Sequence, residues 1–333
     1  MAKAISIFNN KGGVGKTTYM FHVAHLLARG DVRVLMVDCD SQSNLTAYSL
    51  ANPAIRRSWA PDGNSIWRNI ELVARGVGDI RQRGPSLIRP DYPNLYIVPG
   101  DLQLTNFEDR LGDSWSGAKG GSEASLRIQS AIFRYVKWAA ELINAQIILI
   151  DLGPNLGALN RAVLAASDYF IVPMAPDLFS IRGTENLASK LQLWQREWQQ
   201  CHVAWQGNDL ELPPGRPKFL GYVVQSHNLR NNQDGMTRGW NLFGRIINDT
   251  VQNNIVRVLT PLDQVVDWDE GDYKLGMIPN LHSLIPYSQR ARKPVFDCTY
   301  ADGLRGDHIR RAADARGHFT GIVDIIRDTL NWD

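Results

Sequence analysis

Apolar residues along this chain gather into short, β-branched runs. Between the runs they recur every three or four positions. The runs are 4–8 (AISIF), 32–38 (VRVLMVD), 95–99 (LYIVP), 145–151 (AQIILID), 169–174 (YFIVPM) and 219–225 (FLGYVVQ). Runs that are apolar at nearly every position suit strands covered on both faces. The stretches 17–29, 125–144, 183–200, 239–254 and 317–332 have helical spacing. This alternation predicts an α/β fold, a mostly parallel sheet with helices on both faces. Two stretches break the pattern: 52–92, rich in Pro, Gly and Arg, and 112–123, rich in Gly and Ser. Strand signals continue on both sides of each, so they are read as surface embellishments. The expected organisation is one elaborated domain over 1–333, with peripheral insertions at about 52–92 and 227–276. Trp240, Phe243 and Trp268 in the second insertion are expected to cover the core.

Composition narrows the class. The chain has 333 residues, 44% hydrophobic and 21% charged, the balance of a globular protein with a sizeable core. The formal charge of +2 confines any nucleic-acid surface to a local patch. Cys39, Cys201 and Cys298 are far apart and match no metal-ligand or disulfide spacing, which points to a reducing, cytoplasmic setting. No apolar run reaches the roughly 18 residues that a membrane span needs. Because the first strand signal starts at Ala4, neither a secretion leader nor a preceding helix-turn-helix is expected.

The strongest chemical signal is FNNKGGVGKTT, between the first strand and the first helix. Phosphate-binding loops follow Gly-x-x-x-x-Gly-Lys-Ser/Thr. Counted back from Gly15-Lys16-Thr17, the first glycine falls on Asn10, and a second lysine, Lys11, comes next. Gly12, Gly13 and Gly15, with Val14 between them, let successive N–H groups turn toward one anion at a helix start. Lys16 then reaches the β- and γ-phosphates and Thr17 supplies a hydroxyl to a metal ion, while Thr18 lies near the α-phosphate. Two further strands end in acid. Asp38 ends VLMVD, with Asp40 just beyond it, and Asp151 ends IILID. A carboxylate at the carboxyl end of a buried strand meets a cation, a ligand or a turn's donors. In the expected roles, Asp151 holds Mg²⁺ through water, and Asp40 orients the attacking water or the metal's water shell.

KGGVGKTT, DCDSQSNLT and IDLGPNLGALNRAVLAASDYFIVPMAPDLFSIRG together resemble the deviant-Walker P-loop ATPases of the ParA/MinD family, and the ParA partition branch most of all. The resemblance runs from Ala4 to about Leu187 and resumes at FLGYVVQ and at IPYSQRARKPVF. It implies ATP and Mg²⁺ as ligands, slow partner-stimulated ATP hydrolysis, an ATP-dependent sandwich homodimer and a ParB-like or other activating partner protein. Under it, Lys11 is the signature lysine that reaches the partner's nucleotide. Lys16 and Thr17 serve phosphate and metal, Asp40 positions water, Asp151 is the Walker B acid, and Gln225 and Pro286 lie near the base. This chain departs from the family at Asp40-Ser41-Gln42-Ser43, which lacks the usual proline and glycine, and at Gln225, where asparagine is common.

The surface it would act on is less sharply marked. Arg290, Arg292, Lys293, Arg310 and Arg311 belong to a modest basic excess. That excess is either a solvated helical face or a patch for non-specific DNA, doubled in a dimer. A membrane-surface role is disfavoured: the tail GIVDIIRDTLNWD carries Asp324, Asp328 and Asp333 against a single Arg327, the wrong sign for anionic lipid. A nucleotide-sensing scaffold subunit stays open as a third class.

Overall fold

The structure, a computed structural model, describes residues 2–30, 32–225, 238–268, 272–278, 281 and 283–330, with main chain only at 178, 179, 185 and 238–244. Eight strands form one sheet: β1 (Lys3–Ile7), β2 (Val34–Cys39), β3 (Ser86–Leu87), β4 (Leu95–Val98), β5 (Ile147–Leu152), β6 (Tyr169–Met174), β7 (Lys218–Gln225) and β8 (Lys274–Ile278). The order is β3-β4-β2-β5-β1-β6-β7-β8, and every pair is parallel except β3 with β4. The expected α/β architecture is therefore observed. β3 and β8 were not among the apolar runs, because one has only two residues and the other (KLGMI) is interrupted by Gly276.

The period of a strand sorts its side chains onto two cores. Ile5 and Ile7 of β1, Val34 and Met36 of β2, and Ile147 and Leu149 of β5 face one side. There they meet the helices Lys16–Leu27, Asn44–Ser49 and Asp307–Thr329. Leu35, Val37, Ile148 and Ile150 face the other side, under Ile66–Ala74, Leu104–Asp113, Ala131–Leu142, Ala158–Ala165 and Leu187–Ala204. Ile322, Val323 and Ile326 of the last described helix are buried, so the apolar stripe of the tail packs into the protein.

Three expectations need correction. The stretch 52–92 contains the helices Asn52–Trp59 and Ile66–Ala74, and Ile66, Ile70, Val73 and Ala74 enter the core. Its polar composition reflects the outer faces of these helices and does not mark a surface loop. In the Gly- and Ser-rich stretch, Trp115 and Ala118 are buried in a small satellite cluster with Trp198 and Cys201. The single helices read over 125–144 and 183–200 are each two, broken at Ser130 and Asn186. Of the insertion at 227–276, residues 227–237 and 269–271 and the side chains of Trp240 and Phe243 lie outside the described residues. Trp268 is partly buried against the core, and its indole N–H donates to the Leu220 carbonyl at 3.1 Å. All three cysteines are free and buried.

Candidate nucleotide site

The carboxyl ends of β1, β2 and β5 lie side by side, with Ile7 opposite Asp151 and Asp38 opposite Asp151. The three carboxylates and the glycine loop therefore meet at one edge of the sheet, where open α/β sheets bind ligands. A cleft of about 620 Å³ opens there. It is lined by Gly12 to Tyr19, Asp40, Gln42, Tyr48, Pro154, Gln225, Ile285 and Gln289 among others. A larger groove of about 850 Å³ lies at the opposite ends of β1 and β5, but its lining (Ile132, Val136, Ala140 and their neighbours) contains no glycine loop. The smaller cleft is the chemical one.

Gly13 and Gly15 both take φ of 75°, the left-handed region that glycine enters without steric cost. At Gly15 a side chain is excluded twice, since a Cβ there would stand 2.9 Å from the Gln225 amide nitrogen. Gly15 leads directly into the helix Lys16–Leu27, so the loop's N–H groups stand at a positive helix end. Nine of the twelve residues of this helix are buried, which fixes the loop to the middle of the protein.

The two lysines have opposite surroundings. Lys16 is buried, and its ammonium donates to the carbonyls of Asn9 and Lys11, both at 3.1 Å, curling inward across the loop. Burial lowers its pKa, against the pull of Asp151 and Asp40. The Lys11 ammonium points out of the loop and forms an ion pair with Asp177, with 29% of its side chain exposed. Asn9 braces the turn: its amide donates to the Pro173 carbonyl at 2.6 Å and its Oδ1 accepts from the Lys11 N–H at 2.9 Å. Asp177 also caps the helix Leu178–Glu185 by accepting from the Ser180 N–H at 2.9 Å. The sequence reading passed over Asn9 and Asp177. The second carried a signal, an Asp three residues before a Ser at a helix start.

Thr17 donates its hydroxyl to Asp151 Oδ2 at 2.6 Å, while Asp151 Oδ1 is buried with no hydrogen-bond partner. Burial raises the pKa of Asp151, and neighbouring Asp38 raises it further. Asp38 is pushed up to about 7 by burial, even though it accepts from the Thr46 N–H at 2.8 Å and the Thr46 hydroxyl at 2.6 Å. Asp38 Oδ1 also accepts from the Asp40 N–H at 3.2 Å. The unusual loop after β2 turns tightly: Asp40 Oδ1 accepts from the Gln42 N–H at 3.0 Å, and the Asp40 carbonyl accepts from the Ser43 N–H at 2.8 Å. Ser43 takes φ of 52°, where a glycine would have been at ease.

This donor set fits a divalent cation. Asp151 and Asp40 both pull on the buried Lys16 ammonium, one Asp151 oxygen has no hydrogen-bond partner, and the Thr17 hydroxyl donates to the other. Among the described residues no group of three His, Cys, Asp or Glu forms a closed metal cage. Mg²⁺ takes few protein ligands and fills its shell with water and phosphate. Of the residues expected near the base, Gln225 lines the cleft and its Oε1 is buried without a partner. Pro286 opens the helix Ile285–Ala291 and is not among the lining residues, whereas its neighbours Ile285 and Gln289 are. The basic residues are engaged at close range. Lys293 pairs with Asp302 at 3.2 Å and Arg310 with Asp307 at 2.7 Å. Arg290 donates to the Asp302 carbonyl at 2.8 Å, Arg311 donates to the Ser283 hydroxyl at 3.1 Å, and Arg292 ends its helix in the left-handed conformation.

Known proteins are similar to this chain in sequence and in fold. The AAA domain family model matches residues 2–202. The sporulation initiation inhibitor protein Soj of Bacillus subtilis is 30% identical over 196 residues, 59% of this chain and 67% of Soj. The ParA family protein of Chlamydia pneumoniae is 27% identical over 192 residues, 57% of this chain and 65% of that protein. Across the first curated relatives, the match spans from 48% to 67% of their own lengths. An ATP complex of Cyanothece McdA superposes with a TM-score of 0.64 at 15% identity, covering 100% of this chain and 97% of that one, a likeness of fold. With the family model covering more than half of its length, this chain belongs to the AAA domain family, among the P-loop ATPases of ParA/MinD type.

Proposed function

We propose that the protein is a ParA-like ATPase that pairs with a second copy around ATP and uses hydrolysis to drive partition or positioning of a cargo. One observation carries this reading: the loop draws Lys16 inward and leaves Lys11 outside, on Asp177. The anion seat of the loop therefore has its own cation, and Lys11 is left to serve a neighbouring copy.

The chemistry follows from the residues. The glycine loop and Lys16 hold the phosphates, and the unpartnered oxygen of Asp151 with the Thr17 hydroxyl would hold Mg²⁺. When bound there, Mg²⁺ would supply positive charge against the negative charge that develops during phosphoryl transfer. Asp40, at the cleft beside Gln42, orients the attacking water. Lys11 of the second copy adds positive charge at the γ-phosphate, as an arginine finger does. Hydrolysis releases phosphate and removes the group that Lys11 had held across the pair, so the pair comes apart. A relative named chromosome partitioning protein ParA, from Caulobacter vibrioides, supports partition as the setting. Exposed Arg290 and Arg310, beside the intermediate Arg292, Lys293 and Arg311, support non-specific, ATP-dependent DNA binding.

The decisive variant is Lys11→Ala. It is expected to bind nucleotide near the wild-type affinity, and to lose at least about ten-fold in ATP hydrolysis together with its AMPPNP-dependent dimer on light scattering. Hydrolysis at the wild-type rate would sink the reading.

A further inference from the structure

The basic segment beyond the cleft is tied to the nucleotide loop from two directions. Gln289 lines the cleft, and its helix runs straight into Arg292 and Lys293. On one side, the Tyr48 hydroxyl lies 2.7 Å from Ser288 Oγ. Ser288 spends its only hydroxyl proton on the Lys293 carbonyl, so Tyr48 is the donor in their contact. Tyr48 sits on the helix Asn44–Ser49, directly after the loop that carries Asp40. On the other side, His22 Nε2 accepts from the Val295 N–H at 2.9 Å. An accepting nitrogen carries no proton, so the neutral ring is protonated at Nδ1, which donates to the Thr18 carbonyl at 2.7 Å.

These are costly places for polar groups. His22 is fully buried and stacks on Phe319, with ring centroids 4.8 Å apart and planes at 14°. Tyr48 stacks on Phe21 at 4.1 Å and 13°. Phenylalanine would fill either space without burying a polar atom. What the polar atoms add is registration of the Ser288–Val295 segment against the Thr18 turn and the Asp40 loop.

We infer that the Tyr48–Ser288 and His22–Val295 links transmit occupancy of the cleft to this segment, so that a seated nucleotide sets the posture of Arg290, Arg292 and Lys293. The inference rests on the nucleotide-binding reading above and is independent of what the basic residues bind. Coupling of this kind is a free energy shared by two sites. Ser288, which is buried and not among the residues lining the cleft, is the positioning residue to change.

The test is hydrogen–deuterium exchange on the full chain and on Ser288→Ala, each with and without AMPPNP and Mg²⁺. In the wild type, nucleotide is expected to slow exchange both at 12–18 and at 288–297. In Ser288→Ala the slowing at 12–18 is expected to persist, while the nucleotide-dependent slowing at 288–297 shrinks about five-fold, the equivalent of one hydrogen bond. A merely structural role for Ser288 would loosen 288–297 equally in both states and leave the difference unchanged, which overturns the inference. A wild type whose 12–18 amides respond while 288–297 do not overturns the coupling alone. No response at 12–18 overturns the nucleotide reading, and the coupling with it.

Discussion

Lys11 and Lys16 are chemically identical neighbours in one loop, and the fold separates them by burial. The spacing of KGGVGKTT was enough to single out both, but it could not say where Lys11 rests in a lone chain. Its partner, Asp177, is remote in sequence, and no local pattern joins the two. If Lys11 must leave Asp177 to reach a second copy, weakening that pair favours association. Asp177→Ser keeps a helix-capping oxygen and removes the charge. Its AMPPNP-dependent dimer is expected at several-fold lower protein concentration by sedimentation, with a change in unfolding free energy under about 1 kcal/mol. A second residue-level effect concerns acid. Burial lowers His25 to about 3, and its Nε2 has no hydrogen-bond partner. The unfolded chain gains a proton near pH 6.5 where the folded one does not, so stability is full above that pH and is lost as pH falls from about 6.5 toward 3. At pH 5 this site costs about 2 kcal/mol. His25→Phe, packed against Phe21 and Tyr92, is expected to lose about 2 kcal/mol less than the wild type between pH 7 and pH 5 in thermal melts.

At the scale of elements, the sequence was most legible where a run was dense and the chemistry local. All six apolar runs coincide with strands, because in a parallel sheet covered on both faces nearly every position of a strand is apolar. Helices with a broad solvent face were harder. The last described helix begins at Asp307, ten residues before the start read from spacing, because DHIRRAADARG buries only the small Ala312 and Ala315 in that stretch. The break at Ser130 was hidden for a different reason: apolar spacing continues through it on both sides. Within the site, the acids at strand ends were visible, while Tyr48, Ser288 and His22 looked like ordinary core and surface residues until the fold brought them together. The long final helix is anchored at Phe319, which is fully buried against His22 and Phe296. Phe319→Ala is expected to destabilise the protein by about 3–5 kcal/mol in chemical denaturation, the cost of an aromatic-sized cavity.

For the whole molecule, a net charge of +2 supplies little long-range field to draw in a polyanion, so the proposed DNA binding would have to come from the local cluster near Arg290 and Arg310. Retention on plain duplex DNA is expected only with ATP or AMPPNP and should fall steeply, about ten-fold or more, between 50 and 200 mM salt. Binding that ignores salt or nucleotide would count against it. The sheet itself limits how copies can meet. β3 is two residues long and runs against its neighbour, and Asn64 ties it down by donating to the Gly84 carbonyl at 2.8 Å and to Ser86 at 3.0 Å. So short a border offers an incoming strand almost no ladder to extend. On that flank the sheet is protected from end-to-end growth into fibres.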